Sequence, residues 1–210
     1  MAIVANLRGA EEALQHDSIR YLGFPFSISE TFQQRNTNSD ITQSLATVDQ
    51  LLNLCTKRGK EAVIYLSMGF GNPYGDMWNA EIVTHYAEQL IKRGATILSL
   101  SDTTGVSTPE KINNLLPVLL HEFNTTEIGV HLHSTPATRL EKMEAAYASG
   151  CRRFDSALKG FGGCPMAADE LTGNLATEDL IAFLKSKEEK LNLNMEKWQE
   201  ALIYAPRIFS

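Results

Sequence analysis

Hydrophobic and polar positions along the chain follow two alternating patterns. Short runs that are almost wholly apolar, such as AVIYLSM and ATILSL, are typical of parallel strands covered on both faces. Between them, apolar residues recur every three or four positions, as they do in amphipathic helices. The predicted strands cover residues 2–5, 19–26, 62–68, 95–100, 127–133 and 152–158.

Local signals mark where the predicted helices begin and end. Asp40 precedes Ile-Thr-Gln and predicts a capped helix that ends at Gly59. Thr108 before Pro109 predicts another start, because proline at the first helical position lacks only an N–H that would be unpaired anyway. A last helix over residues 198–209 is expected to pack on the body. The chain is therefore read as a βα unit repeated six times.

Six parallel βα units predict an α/β fold with two alternatives, an open doubly wound sheet or part of an eight-stranded barrel. Spacing does not separate them. The open sheet is disfavoured because no G-x-G-x-x-G follows the first strand and no Walker sequence occurs. We find no linker or composition shift, so residues 1–210 are expected to form one domain.

Composition and charge limit the classes of molecule that the chain is expected to bind. With 43% hydrophobic residues the chain can bury a sizeable core, which excludes a disordered tail. A net charge of −6 disfavours a nucleic-acid or anionic-membrane surface, although a local basic pocket for an anionic ligand stays open. Three cysteines cannot all pair with each other, which indicates a reducing cytoplasm. No apolar stretch approaches the length of about 20 residues of a membrane span.

The segment VHLHS carries two histidines at strand spacing. Side chains alternate across a strand, so His131 and His133 point to the same side. At the carboxyl end of a barrel strand that side is the mouth, where active sites form. Two imidazoles there can hold a divalent metal if oxygen ligands complete the shell. The alternative is a pair of half-buried histidines whose partners are backbone groups.

The loop GFGGCPMA is the second candidate. Its glycines allow it to close over a substrate, and Cys164 would be exposed at its tip, unlike an ordinary core cysteine. A thiol near a cation loses its proton more easily and can act as general acid or base. The alternative is a small residue in a turn.

Three further polar residues follow strands or precede a helix. Asn174 offers a carbonyl to a hard metal, or bonds loop backbone. Asp102 lies just past a strand end, where it is either functional or forms an Asx turn before Thr103. Asp155 is a charge on a buried strand and needs a partner, either an imidazole or a lysine.

Five motifs together carry a family resemblance. IGVHLHSTPA, FDSALKGFGGCPMA, LTGNLATEDL, LSLSDTTGVSTPE and SISETFQQRN, spread over residues 2–184, resemble hydroxymethylglutaryl-CoA lyase. The resemblance implies a metal-dependent TIM barrel related to isopropylmalate and homocitrate synthases. It also implies that 3-hydroxy-3-methylglutaryl-CoA, an acyl-CoA, is cleaved to acetoacetate and acetyl-CoA with Mg²⁺ or Mn²⁺.

The resemblance assigns roles residue by residue. It matches His131, His133 and Asn174 to the metal ligands of the family, Cys164 to its catalytic loop cysteine, and Asp102 to a catalytic aspartate at its substrate pocket. A base would remove the proton of the tertiary hydroxyl, the C–C bond would break, and Cys164 would pass a proton to the enolate carbon.

One departure from the family pattern concerns the start of the chain. The family begins with two more βα units and an Arg-Asp pair, whereas here Arg8 is followed by Gly9 and Arg153 by Phe154. We therefore expect an incomplete TIM (β/α)8 barrel, truncated at its N-terminus. Loss of a charge-stabilising group costs about 10²–10³ in rate, so activity is expected to be impaired.

Two other functions and the oligomeric state stay open. The chain is alternatively a related acyl-CoA condensing synthase or aldolase. It is otherwise an inactive partner that binds metal or coenzyme A, or that pairs its open sheet edges with another chain. A homodimer is compatible with all three functions.

Overall fold

The structure, a computed structural model, describes residues 1–163 and 172–209. Its strands are Ala2–Ile3 (β1), Tyr21–Ser27 (β2), Glu61–Ser67 (β3), Ile97–Asp102 (β4), Glu127–Ser134 (β5) and Gly173–Asn174 (β6). Its α-helices are Leu7–Ala13 (α1), Glu30–Thr37 (α2), Ile41–Lys57 (α3), Ala80–Lys92 (α4), Pro109–Glu122 (α5), Arg139–Ala148 (α6), Thr177–Ser186 (α7) and Met195–Ile208 (α8). None of the helices in these ranges is both long and apolar enough to span a bilayer.

The strand order decides between the two predicted architectures. Strands β1 to β5 are parallel and lie side by side in chain order. A doubly wound sheet needs a point where the order reverses, and this sheet has none. An α/β fold in the form of an incomplete TIM barrel is therefore confirmed.

The sixth predicted strand differs from the expectation. Residues 152–158 run beside β5, with which they form an isolated parallel bridge between Val130 and Phe154 in place of a ladder. From Ala157 onward the backbone turns away from β5, because the Ala157 N–H donates to the Leu175 carbonyl and the Ala157 carbonyl accepts from Thr177. The sixth strand of the sheet is instead β6, which pairs antiparallel with β5.

The predicted helix ends are largely confirmed. Asp40 caps α3 in a reciprocal capping box with Gln43. Thr108 caps α5, whose first residue is Pro109. The final helix begins at Met195, slightly before the predicted start.

Strand alternation separates a core face from a cavity face. In β4, Leu98 and Leu100 pack into the core that the helices cover. Ser101 lies on the opposite, concave face, in register with His131 on β5. His133 shares that face, so the two histidines point to the inside of the incomplete barrel, as the spacing predicts.

Asp76, in the segment after β3, stabilises the start of α2. Its carboxylate accepts hydrogen bonds from the Ser29 hydroxyl, from the Thr31 hydroxyl (2.8 Å) and from the Thr31 N–H (3.0 Å). These bonds, led by that from Ser29, lower the pKa of Asp76 below its ordinary value of 3.8. The ionised carboxylate therefore holds the mouth-side loop to the helix N-terminus.

Replacing Asp76 with alanine is expected to lower the free energy of unfolding by about 1 kcal/mol at neutral pH. Because the pKa is lower in the folded state, this stabilisation is complete above pH 3.8 and is lost as the pH falls through the lowered pKa. Urea-unfolding curves of both proteins at neutral and acidic pH measure the difference. The exposed Asp17→Ala is the control; a gap between wild type and Asp76→Ala that is independent of pH would contradict the prediction.

Candidate active site

The candidate site is a cavity of about 280 Å³ at the carboxyl ends of the strands. Each of the five parallel strands contributes at least one lining residue: Ile3, Pro25, Tyr65, Ser101 and His131. Residues from α2, Thr103 after β4 and Gly163 after β5 complete the wall. In a barrel this end is where catalytic groups gather, so the cavity lies where the sequence predicts.

A larger groove of about 540 Å³ lies elsewhere, alongside α4. Of the carboxylates that line it, Asp76 is hydrogen-bonded to Ser29 and Thr31, and Glu30 accepts long contacts from the Ile41 N–H. This groove contains one histidine, the exposed His85, and no imidazole pair. We therefore assign the chemistry to the smaller cavity.

Two imidazoles converge in the cavity. The Nε2 atoms of His131 and His133 lie 3.3 Å apart. The Nδ1 atom of His133 lies 2.9 Å from the Thr103 carbonyl oxygen, which can only accept, so Nδ1 carries the proton and Nε2 has a free lone pair. Burial, followed by the neighbouring His131 ring, lowers the pKa of His133 from 6.5 to about 4. His133 is therefore neutral at pH 7, the form that ligates metals.

A buried carboxylate backs the other imidazole. Asp155 Oδ2 lies 3.7 Å from His131 Nδ1 and accepts a 3.0 Å hydrogen bond from the Ser99 hydroxyl. Burial acts to raise the pKa of Asp155, but the contact with His131 and hydrogen bonds from Tyr65 and Ser99 outweigh it and hold the pKa below its ordinary value. The imidazole partner expected for Asp155 is thus His131, whose Nε2 faces the cavity.

Asn174 lies beside the imidazole pair. It is paired in register with His133 across β5 and β6. Its Nδ2 group donates to the Phe161 carbonyl (2.8 Å), which fixes the amide, and its buried Oδ1 has no hydrogen-bond partner among the described residues. A buried oxygen without a donor is costly, and a cation would satisfy it.

The donors present fit a divalent cation. Two imidazole nitrogens and one amide oxygen form a mixed set of the kind that binds divalent metals. Within residues 1–163 and 172–209, no three His, Cys, Asp or Glu side chains cluster at metal-binding distance. Of the predicted ligands, His131 and His133 line one cavity, and Asn174 is the strand partner of His133.

Asp102 does not meet the expectation that it faces the substrate pocket. Strand alternation turns it to the helix side of β4, where it is 1% exposed and lies outside the cavity wall. Its Oδ2 lies 2.9 Å from Lys142 Nζ, and its Oδ1 accepts from the Ser107 N–H (3.0 Å). The alternative of an Asx turn before Thr103 does not describe it either, because the backbone donor is Ser107.

Cys164 lies outside the described residues. Gly163, the residue before it in the chain, lines the cavity. Cys55 and Cys151 are buried free thiols.

Sequence reasoning missed two residues that shape the site. Tyr65 contacts the His131 ring edge-on, with 5.5 Å between ring centroids, and burial raises the pKa of its phenol above the ordinary value. The sequence spacing of Leu140, Met143, Ala146 and Tyr147 predicts an apolar helix stripe with Leu140 on the inner face. The structure instead buries Lys142 and leaves Leu140 53% exposed. The only sequence signal for Lys142 is its position next to Met143 in an otherwise apolar stripe.

Comparison with known proteins identifies the family. The model of the HMGL-like family matches residues 3–202. Hydroxymethylglutaryl-CoA lyase YngG of Bacillus subtilis is 36% identical over 196 residues, which are 93% of this chain and 65% of YngG. The chain thus spans less than two thirds of the length of that relative.

Solved structures agree with the sequence match. The crystal structure of the B. subtilis HMG-CoA lyase superposes with a TM-score of 0.89 at 35% identity, over 99% of this chain and 69% of that one. The HMG-CoA lyase from Acinetobacter baumannii, solved in complex with coenzyme A and 3-methylmalate, gives 0.85 at 26% identity, over 99% and 67% of the two chains. The resemblance seen in the five motifs is confirmed: the chain belongs to the HMGL-like family.

Proposed function

We propose that this chain carries the catalytic centre of a hydroxymethylglutaryl-CoA lyase, which cleaves 3-hydroxy-3-methylglutaryl-CoA to acetoacetate and acetyl-CoA. The observation that supports this proposal most directly is the pair of Nε2 atoms 3.3 Å apart in the mouth cavity. Family membership supports the reaction class, and YngG at 36% identity supports the substrate.

His131, His133 and Asn174 are proposed to hold a divalent cation, Mg²⁺ or Mn²⁺. The Asn174 Oδ1 atom, which has no hydrogen-bond partner among the described residues, is an oxygen of the type that these hard cations prefer. When bound, the cation would supply Lewis-acid polarisation of the substrate hydroxyl and carboxylate.

The protein groups around the cavity have separate tasks in this proposal. The Thr103 carbonyl holds the proton on His133 Nδ1. Asp155 orients His131, and the Tyr65 phenol stays protonated beside it. The apolar side chains of Pro25 and Phe32 line the same cavity and exclude water from the reacting carbon.

Cys164 is proposed to move the proton that completes the reaction. Removal of the hydroxyl proton lets the C–C bond break, and the electron pair of that bond passes to the acetyl-CoA enolate. The Cys164 thiol would then give its proton to the enolate carbon, and the proton released from the hydroxyl restores the thiol. Gly163, next to it in sequence, lines the cavity, which is the structural support for this role.

The partners follow from the same proposal. An acyl-CoA substrate is supported by the coenzyme A complex of the A. baumannii lyase, the structure that superposes at 0.85. Two buried free thiols, Cys55 and Cys151, support a reducing compartment, and we propose the cytoplasm. A homodimer is part of the same proposal, and measuring the molar mass in solution distinguishes it from a monomer.

The experiment that tests the function is an acetoacetate assay. The 210-residue chain, and the longest polypeptide that its reading frame encodes, are incubated with 3-hydroxy-3-methylglutaryl-CoA and Mg²⁺, and acetoacetate is coupled to NADH oxidation. A second arm supplies acetyl-CoA with 2-oxo acids and follows free thiol release. Acetoacetate in the first arm supports the lyase, thiol release in the second supports a condensing synthase, and neither product from any polypeptide overturns the proposal.

A further inference from the structure

A lysine is buried behind the histidine pair. The Lys142 side chain on α6 is 3% exposed, and its partner Asp102 is 0% exposed. Lysine is almost never buried to this degree unless it is paired, and a pair of apolar residues in the same space would stabilise the fold equally well or better. The ion pair therefore calls for an explanation other than stability.

All three donors of the Lys142 ammonium group are used inside the protein. Nζ lies 2.9 Å from Asp102 Oδ2, 2.8 Å from the His133 carbonyl oxygen and 3.1 Å from the Gly105 carbonyl oxygen. Asp102 is further held by the Ser107 N–H and hydroxyl. Because no donor is free, Lys142 does not bind substrate and does not exchange protons with it.

These contacts lie where β4 stops pairing with β5. The β4–β5 ladder ends at the pair Asp102 and Leu132, so His133 is one residue beyond the last paired position of β4. At that point Lys142 Nζ donates a hydrogen bond to the His133 carbonyl oxygen. The His133 side chain is held on the same side by the Thr103 carbonyl, which directly follows Asp102. Backbone and ring of His133 are thus both fixed to the end of β4.

We propose that Lys142 and Asp102 are a positioning pair that locks the end of β5, so that His133 presents Nε2 to the cavity in a single tautomer. Asp102 acts through Lys142 and not on the substrate, which reconciles its motif position with its burial. The metal-binding part of the test rests on the proposed function. The tautomer part concerns the chain without any metal and stands alone.

The test removes both charges together. Lys142→Met alone leaves the Asp102 carboxylate buried without a cation and is expected to unfold much of the protein. The double variant Asp102→Asn with Lys142→Met keeps the volume and removes the charges. We expect it to fold, with a Kd for Mn²⁺ about 10- to 100-fold higher than that of the wild type, as measured by titration calorimetry. Two-bond ¹H–¹⁵N spectra of the metal-free protein should show His133 changing from one Nδ1–H tautomer to a mixture.

A matched control separates positioning from general destabilisation. Leu90→Ala creates a cavity in the core under α4, and is expected to lower stability without changing the Mn²⁺ Kd or the His133 tautomer. If the double variant does not fold, Ser107→Ala removes only one bond to Asp102 and should raise the Kd about two- to fivefold.

Two outcomes overturn the inference. The first is a folded variant with an unchanged His133 tautomer, whatever its metal affinity. The second is that Leu90→Ala raises the Kd for Mn²⁺ as much as the double variant Asp102→Asn with Lys142→Met does. If the wild type itself does not bind Mn²⁺ while the tautomer still changes in the variant, the proposed metal site fails and the positioning pair stands.

Discussion

Replacing His133 with alanine is expected to raise the Kd for Mn²⁺ at least about 100-fold and to reduce acetoacetate formation at least about 1,000-fold. The effect is large because His133 is the most confined donor of the set. Its ring is 5% exposed, its Nδ1 proton is held by the Thr103 carbonyl, and its Nε2 lies 3.3 Å from that of His131. Removal of the ring takes away a proposed ligand and leaves that carbonyl without its donor. Titration calorimetry and the coupled acetoacetate assay measure the two losses.

The control for this variant is another histidine. His121 lies exposed in the last turn of α5, and His121→Ala is expected to leave both quantities within twofold of the wild type. Circular dichroism of each variant checks that the fold is kept. A folded His133→Ala protein that still binds Mn²⁺ with wild-type affinity would remove His133 from the ligand set.

The histidine pair could be predicted because it depends on one local rule. In an extended strand, residues two apart share a face, so His131 and His133 had to point the same way wherever the strand lay. The partners of each ring could not be predicted in the same way. Thr103 and Asp155 reach the site from neighbouring segments, and their approach depends on strand register, which the sequence pattern does not state.

The buried lysine shows where pattern analysis fails. A helical stripe is drawn by assigning charges to solvent, because burying an unpaired ammonium costs several kcal/mol. That cost is offset here by Asp102, which lies on β4, forty residues before Lys142 in the chain. The stripe therefore placed Leu140 inside, whereas the structure exposes Leu140 and buries Lys142.

The prediction of a sixth parallel strand over residues 152–158 is wrong for a related reason. Residues 152–158 have the apolar character of a strand, and the Val130 N–H does donate to the Arg153 carbonyl as a parallel ladder requires. The ladder stops because Ala157 finds its backbone partners in the segment that contains Leu175. Competition between two partners for one backbone segment is a tertiary effect. Because Ala157 pairs with this segment, Asn174 lies alongside His133. The interrupted ladder therefore helps to build the candidate site.

Cys164→Ser is expected to lower kcat about 10²- to 10⁴-fold while KM for 3-hydroxy-3-methylglutaryl-CoA changes by less than about threefold. A hydroxyl has nearly the shape of a thiol, so substrate contacts persist, but its much weaker acidity removes an efficient proton donor to the enolate carbon. The neighbouring Gly163, the last described residue before Cys164, lines the cavity that holds both imidazoles. Steady-state kinetics on the most active polypeptide separate the two constants.

Cys55→Ala, a change at a buried packing thiol, is the control and should leave kcat unchanged within about twofold. If Cys164→Ser turned over at the wild-type rate, the proposed role of Cys164 in proton transfer would be wrong.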